Sequence, residues 1–180
     1  MSISSLIPTG KIVERLRYEN PWWLNKQIPE AYSSMAKRLY FSLFYPYVIE
    51  KSVRRALVLM GPRRVGKTVM LFHSIHQLLT ENVNPHKIFF IGIDNPIYVH
   101  LSLEDILNLC KQSLNQSNLN DCLVFFDEIQ YLKDWERHLK VLVDSYPETK
   151  FIVSGSAAAA LNGITQKAER ADLPTLCCHR

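Results

Sequence analysis

The chain has 180 residues, 47% hydrophobic and 21% charged, a balance that suits one soluble globular domain with a sizeable core. Its formal net charge of +4 is too small to demand a nucleic-acid partner. No apolar run approaches the ~18 residues a membrane helix needs, and MSISSLIPTGK lacks the basic opening and apolar stretch of a secretory signal.

The four cysteines, Cys110, Cys122, Cys177 and Cys178, show neither a disulfide framework nor zinc-site spacing, so a reducing cytoplasm is the expected setting. Residues 1–55 read as an aromatic and basic arm packing on a core formed by 56–180. Gly10 to Tyr18 is a short basic piece of helical character, with Ile12, Val13 and Leu16 as its apolar side. In YENPWW, Tyr18 to Trp23, Pro21 opposes helical continuation. Tyr32 to Tyr47 is dense in aromatics and carries Lys37 and Arg38. Bases interleaved with aromatics suit stacking on nucleobases, whereas packing over the core or over a ligand site is the preferred reading. Glu50 to Arg55 is charged and leads into the first strand.

Ala56 to Met60 is an apolar run of strand character. It opens into GPRRVGKT, Gly61 to Thr68, which is G-x-x-x-x-G-K-[ST], the phosphate-loop signature. The glycines permit backbone conformations and close approaches that a Cβ would obstruct. Backbone N–H groups then form a cradle for phosphate oxygens, with the positive end of the next helix facing the same anion. Lys67 is expected against the β- and γ-phosphates, and the Thr68 hydroxyl at Mg²⁺. The candidate nucleotide-binding stretch is Gly61, Pro62, Arg63, Arg64, Val65, Gly66, Lys67, Thr68 and Val69. Arg63 and Arg64 either contact phosphate or point to solvent. Val69 to Leu79 has helical apolar spacing, and His73 and His76 are expected at its surface or packing edge.

Asn82, Asn84 and Pro85 mark a turn before a second strand, Lys87 to Asp94, which Asn95-Pro96 ends. Ser102 is the expected N-cap of a helix running through Leu114, with Glu104 and Asp105 in its first turn. Cys122 to Phe126 is a third strand, Asp134 to Ser145 a helix with Trp135, Leu139, Leu142 and Val143 on one side, and Phe151 to Val153 a fourth strand. Near-continuous apolar strands alternating with helices predict an α/β fold: a three-layer P-loop NTPase with a mainly parallel sheet and helices on both faces.

The third strand ends in Asp127-Glu128, the Walker B arrangement, sixty residues after Lys67. Ligands of open α/β sheets bind beyond the carboxyl ends of strands, where both acids emerge. Asp127 is expected to hold Mg²⁺, mostly through water, and Glu128 to orient or deprotonate the water that attacks the γ-phosphate. A second carboxylate favours hydrolysis over transfer to another acceptor. Ser154, at the end of the next strand, is either a sensor of the γ-phosphate or of that water, or part of a plain Ser-Gly-Ser turn.

GPRRVGKT, FFDEIQYLKDWE and FIVSGSAAAAL together resemble a prokaryotic AAA-type ATPase family, and the likeness runs from about Tyr18 to Leu161. The resemblance implies binding of ATP and Mg²⁺. It assigns Lys67 and Thr68 to phosphate and metal, Asp127 to metal, Glu128 and Lys67 to catalysis, and Ser154 to sensing. It also implies a Walker B strand next to the P-loop strand. Members of that family carry a Gly-Arg pair, an L-P-x-L strand and a further C-terminal domain with winged-helix-like and nuclease-like regions. Here Glu169 precedes Arg170, and Leu173 to Leu176 resembles the strand, so a shortened or fragmentary member is expected. Arg170 is the candidate to reach a neighbouring subunit's γ-phosphate, against a solvated helix-end arginine. Cys177-Cys178-His179 is expected as a flexible tail rather than a metal site.

The expected function is Mg²⁺-dependent ATP binding with slow hydrolysis. A non-hydrolysing nucleotide-binding or interaction module is the alternative. A homo-oligomer, a protein partner and nucleic acid remain open as partners; a membrane is not expected.

Overall fold

The computed structural model describes residues 8–156 and the backbone of 175–177. In chain order the elements are α1 (Thr9–Glu19), α2 (Trp22–Asn25), α3 (Glu30–Ser33), α4 (Phe41–Ile49), β1 (Leu57–Gly61), α5 (Lys67–Thr80), β2 (Ile88–Gly92), α6 (Leu103–Ser113), β3 (Leu123–Asp127), α7 (Trp135–Ser145), β4 (Lys150–Ser156) and β5 (Thr175–Cys177). The five strands form one sheet in the order β2-β3-β4-β1-β5, with every pair parallel. This is the three-layer α/β arrangement that the strand–helix alternation predicts.

One expectation fails. The Walker B strand β3 does not neighbour the P-loop strand β1; β4 lies between them, pairing Leu57↔Ile152 on one side and Phe125↔Ile152 on the other. Strands buried on both faces carry the same apolar pattern, so their lateral order is not written in local periodicity. The intervening strand sets β1 and β3 roughly 9.6 Å apart, two strand spacings. It also lays Ser154 between the phosphate loop and Asp127.

Each strand from β1 to β4 is buried along its whole length. The core is aromatic, with Phe89, Phe125, Phe126 and Phe151 all 1% exposed or less. α6 begins with a reciprocal capping box: Ser102 Oγ accepts from Asp105 N, and the Asp105 carboxylate accepts from Ser102 N. Two backbone donors of the first turn are thereby satisfied.

The arm has a definite task in the sheet. β2 is an edge strand, and an uncovered edge presents unpaired backbone groups to solvent or to another chain. Asn20 closes it: its Oδ1 accepts from Phe90 N at 2.6 Å, and its Nδ2 donates to Phe90 O at 2.8 Å. The Trp22 and Trp23 indoles both donate to Ile88 O, at 3.0 and 2.9 Å. Glu19 faces Gly92 and accepts from Tyr98 Oη at 2.9 Å. Burial pushes the Glu19 carboxyl up from its ordinary value, against hydrogen bonds from Tyr98 and Arg15 that lower it. YENPWW thus stands in for a missing strand beside Ile88, Phe90 and Gly92.

Two further expectations are sharpened. Of the surface and packing-edge alternatives, His73 takes the packing one and is buried, because α3 and α4 cover α5 on the side the arm reaches; its Nε2 donates to Tyr32 O at 3.0 Å. His76 is exposed. The tail expected at 177–179 does not include Cys177, which belongs to β5 and pairs with Met60. Cys178, His179 and Arg170 lie outside the described residues.

Candidate functional site

The carboxyl ends of β1, β3 and β4 meet at one edge, in the register Leu59↔Ser154, Gly61↔Ser156 and Phe126↔Val153. β1 runs into the 61–68 loop, and α5 starts at Lys67 with Gly66 as its N-cap. Gly66 has φ +93°, a conformation L side chains rarely adopt, so a glycine is required there. Lys67 is buried, and its Nζ donates to the loop's own carbonyls, Gly61 O at 3.2 Å and Pro62 O at 2.9 Å. Its ammonium therefore sits inside the bend of the loop. Arg63 and Arg64 are exposed, and Arg63 Nη2 reaches Tyr131 Oη at 3.4 Å.

Thr68 Oγ1 donates to Asp127 Oδ2 at 2.7 Å, joining the start of α5 to the end of β3. Ser154 Oγ donates to the other carboxylate oxygen, Asp127 Oδ1. Asp127 is 6% exposed, and burial pushes its carboxyl above the ordinary value. The hydrogen bonds from Ser154 and Thr68 oppose that rise, while the charges of Glu128 and Asp94 add to it. A buried carboxylate with two neighbouring acids is poised to gain from a cation.

Glu128 adopts a left-handed conformation, φ +54°, directly after β3. Strain of this kind in a non-glycine residue concentrates at functional sites. Its N–H donates to Ser154 Oγ at 3.2 Å. Its carboxylate accepts from Gln130 Nε2, and Gln130 Oε1 accepts from Ser156 N at 3.0 Å. The backbone N–H of Ser156 fixes which end of the Gln130 amide is oxygen, so the other end must donate to Glu128. Ser154 is fully buried and gives its one hydroxyl hydrogen to Asp127, leaving none for a phosphate oxygen.

All the sequence-predicted site residues within 61–69, 127–128 and 154 therefore lie on one rim of the sheet. Sequence reasoning missed Gln130 as a participant, although it stands inside the DEIQ run. Its partner Ser156 is 26 residues away, so only the strand order brings the two together.

The groups present fit Mg²⁺. This ion takes one or two carboxylates plus substrate phosphates and keeps several waters, so Asp127 and the Thr68 hydroxyl suffice on the protein side. Among the described residues no group of three or more His, Cys, Asp or Glu is placed to hold a metal ion. The rim opens into a cleft of about 1510 Å³, lined by Thr68, Asp127, Glu128 and Asp94 and by Arg15, Arg17 and Lys26 of the arm.

A parallel sheet with a glycine-bounded loop before a buried lysine, and an acid meeting the following threonine, defines a P-loop NTPase-like domain. Residues 53–176 match the family described as AAA domain, and the chain belongs to that family. It is a nucleotide-binding AAA-type ATPase domain by membership. Two uncharacterized proteins of Methanocaldococcus jannaschii are similar to it. One is 28% identical over 105 residues, covering 58% of this chain and 22% of its own length. The other is 27% identical over 124 residues, covering 68% and 26%. The chain thus spans about a quarter of the length of these relatives. The crystal structure of Saccharomyces cerevisiae RIF2 has a similar fold, with a TM-score of 0.50 at 11% identity over 97% of this chain and 64% of that one. No helix among the described residues is long and apolar enough to cross a membrane.

Proposed function

We propose that the domain binds ATP with Mg²⁺ across the 61–68 loop and hydrolyses it slowly. The observation that supports this reading best is the 2.7 Å contact between Thr68 Oγ1 and Asp127 Oδ2, which unites two motifs separated by 59 residues. In this reading the loop's N–H groups bind phosphate oxygens, and Lys67 exchanges the Gly61 and Pro62 carbonyls for the β- and γ-phosphates. Thr68 and Asp127 would hold Mg²⁺, which would supply positive charge against the phosphate oxygens. Glu128 takes a proton from the water that attacks the γ-phosphorus, and Gln130 holds its carboxylate in place. Ser154 acts as a sensor through Asp127 rather than by direct contact.

A second reading, nucleotide binding without turnover, draws on the same amide. A Glu128 carboxylate engaged by Gln130 is a weaker acceptor for a water proton than a free one. Phosphate release by the parent, Glu128→Gln and Lys67→Ala, with and without EDTA, separates the two. Hydrolysis predicts EDTA-sensitive turnover, lost in Glu128→Gln while ATP binding persists, with binding lost in Lys67→Ala. Binding without turnover in the parent selects the module, and unchanged turnover in Glu128→Gln removes that residue from the chemistry.

A further inference from the structure

The segment joining α3 to α4 packs against α5 and is fastened at both of its ends. Tyr32 stacks on Phe72 with ring centroids 4.0 Å apart, and Phe41 meets the His73 ring edge-on at 6.3 Å. Lys37 Nζ donates to Gln77 Oε1 at 2.9 Å, and Phe41 N donates to Arg38 O at 3.0 Å. These contacts deliver Arg38 to the phosphate loop. A Cβ built on Gly66 would lie 2.9 Å from Arg38 Nε and 3.0 Å from Nη2, so the guanidinium rests against the loop's second glycine. The ion pairs among the described residues are Arg15–Glu19 and Lys51–Asp121, and Arg38 belongs to neither.

Arg38, Lys67 and the amino end of α5 gather positive charge around one loop, an arrangement whose energy falls when an anion binds. The planar guanidinium fork matches phosphate oxygens better than an ammonium does. We propose that Arg38 is a phosphate-binding residue supplied by the N-terminal arm, gripping the phosphate chain of a nucleotide seated in the 61–68 loop. The proposal rests on the nucleotide reading above and extends it to residues outside the matched family segment, 53–176. It gives the arm a direct part in ligand binding and makes arm docking and nucleotide affinity interdependent.

Isothermal titration of the full chain with ATP and with ADP, both with Mg²⁺, tests it in the parent, Arg38→Ala, Arg38→Gln, Arg38→Lys and Lys67→Ala. Loss of one charge-assisted contact weakens both nucleotides roughly tenfold in Arg38→Ala and Arg38→Gln, and less in Arg38→Lys. The thermal transition of free Arg38→Gln stays at the parent's position, because the arginine is exposed and the glutamine keeps its stem. Parent-like binding in Arg38→Ala and Arg38→Gln, with binding lost in Lys67→Ala, overturns the role of Arg38 and leaves the nucleotide site standing. Absence of binding to the parent overturns both.

Discussion

Replacing Asn20 by alanine tests whether the arm is part of the fold or an accessory. The side chain is 1% exposed and makes both hydrogen bonds of a missing strand to Phe90. Leu16 O keeps a partner after truncation, because Asn20 N also donates to it. Phe90 N and Phe90 O do not, and each backbone group left unsatisfied in a buried place costs about 1–3 kcal/mol. Asn20→Ala is therefore expected to lose about 2–6 kcal/mol, lowering Tm by about 4–24 °C in a domain of this size. Trp23→Phe is the internal control: Ile88 O retains the Trp22 indole, so it should cost about 1 kcal/mol for the hydrogen bond alone. Urea unfolding followed by far-ultraviolet circular dichroism reads both. An Asn20→Ala protein within about 0.5 kcal/mol of the parent, the range of ordinary surface changes, would refute the edge-sealing argument.

Other outcomes follow from the site and the core. The Asp127 carboxyl is raised in the folded state, so its stabilising contribution is full below the unfolded value and is lost as pH rises through the folded one. Asp127→Asn should therefore melt no lower than the parent at pH 8 without ligand, yet gain nothing from MgATP; a lower melting point at pH 8 than at pH 5 relative to the parent contradicts the sign. Gln130→Ala should reduce kcat about 10- to 100-fold with ATP affinity unchanged, since a misplaced catalytic group has that scale of effect; a rise in turnover would instead favour the engaged-carboxylate reading. Burial pushes the Cys122 thiol up to about 11 and Cys110 higher still. Neither should take up iodoacetamide at pH 8 in the folded protein, as read by peptide mass spectrometry, and rapid modification of Cys110 would contradict its full burial. Trp22 and Trp23, 0% and 7% exposed, have no face free for nucleobases, so Trp22→Phe and Trp23→Phe should leave any gel shift with single-stranded DNA unaltered.

The features legible in the chain were those whose cause is local. Apolar runs located the first four strands to within a few residues, and Ser102 with Asp105 signalled a helix start three residues apart. The GPRRVGKT spacing identified a loop because glycine and lysine are needed at fixed steps along the backbone. What escaped notice depends on lateral neighbours. β4 entered between β1 and β3, and only that order joins Gln130 to Ser156 and Ser154 to Asp127. The 70-residue separation of Asn20 from Phe90 hides the meaning of YENPWW, in which the sequence shows only that Pro21 opposes a helix. His73 looked peripheral because the face of α5 that holds it is covered by the arm, not by the sheet.

The sealed flank of β2 has a practical corollary for anyone trimming this domain. A recombinant fragment started at residue 53, where the family match begins, would retain the phosphate loop and both acids. It would also strip Asn20, Trp22 and Trp23 from Ile88 and Phe90, baring a row of amide and carbonyl groups beside a phenylalanine-rich strand. Such a fragment would recruit its own copies and precipitate, and its inactivity would say nothing about the chemistry of the loop.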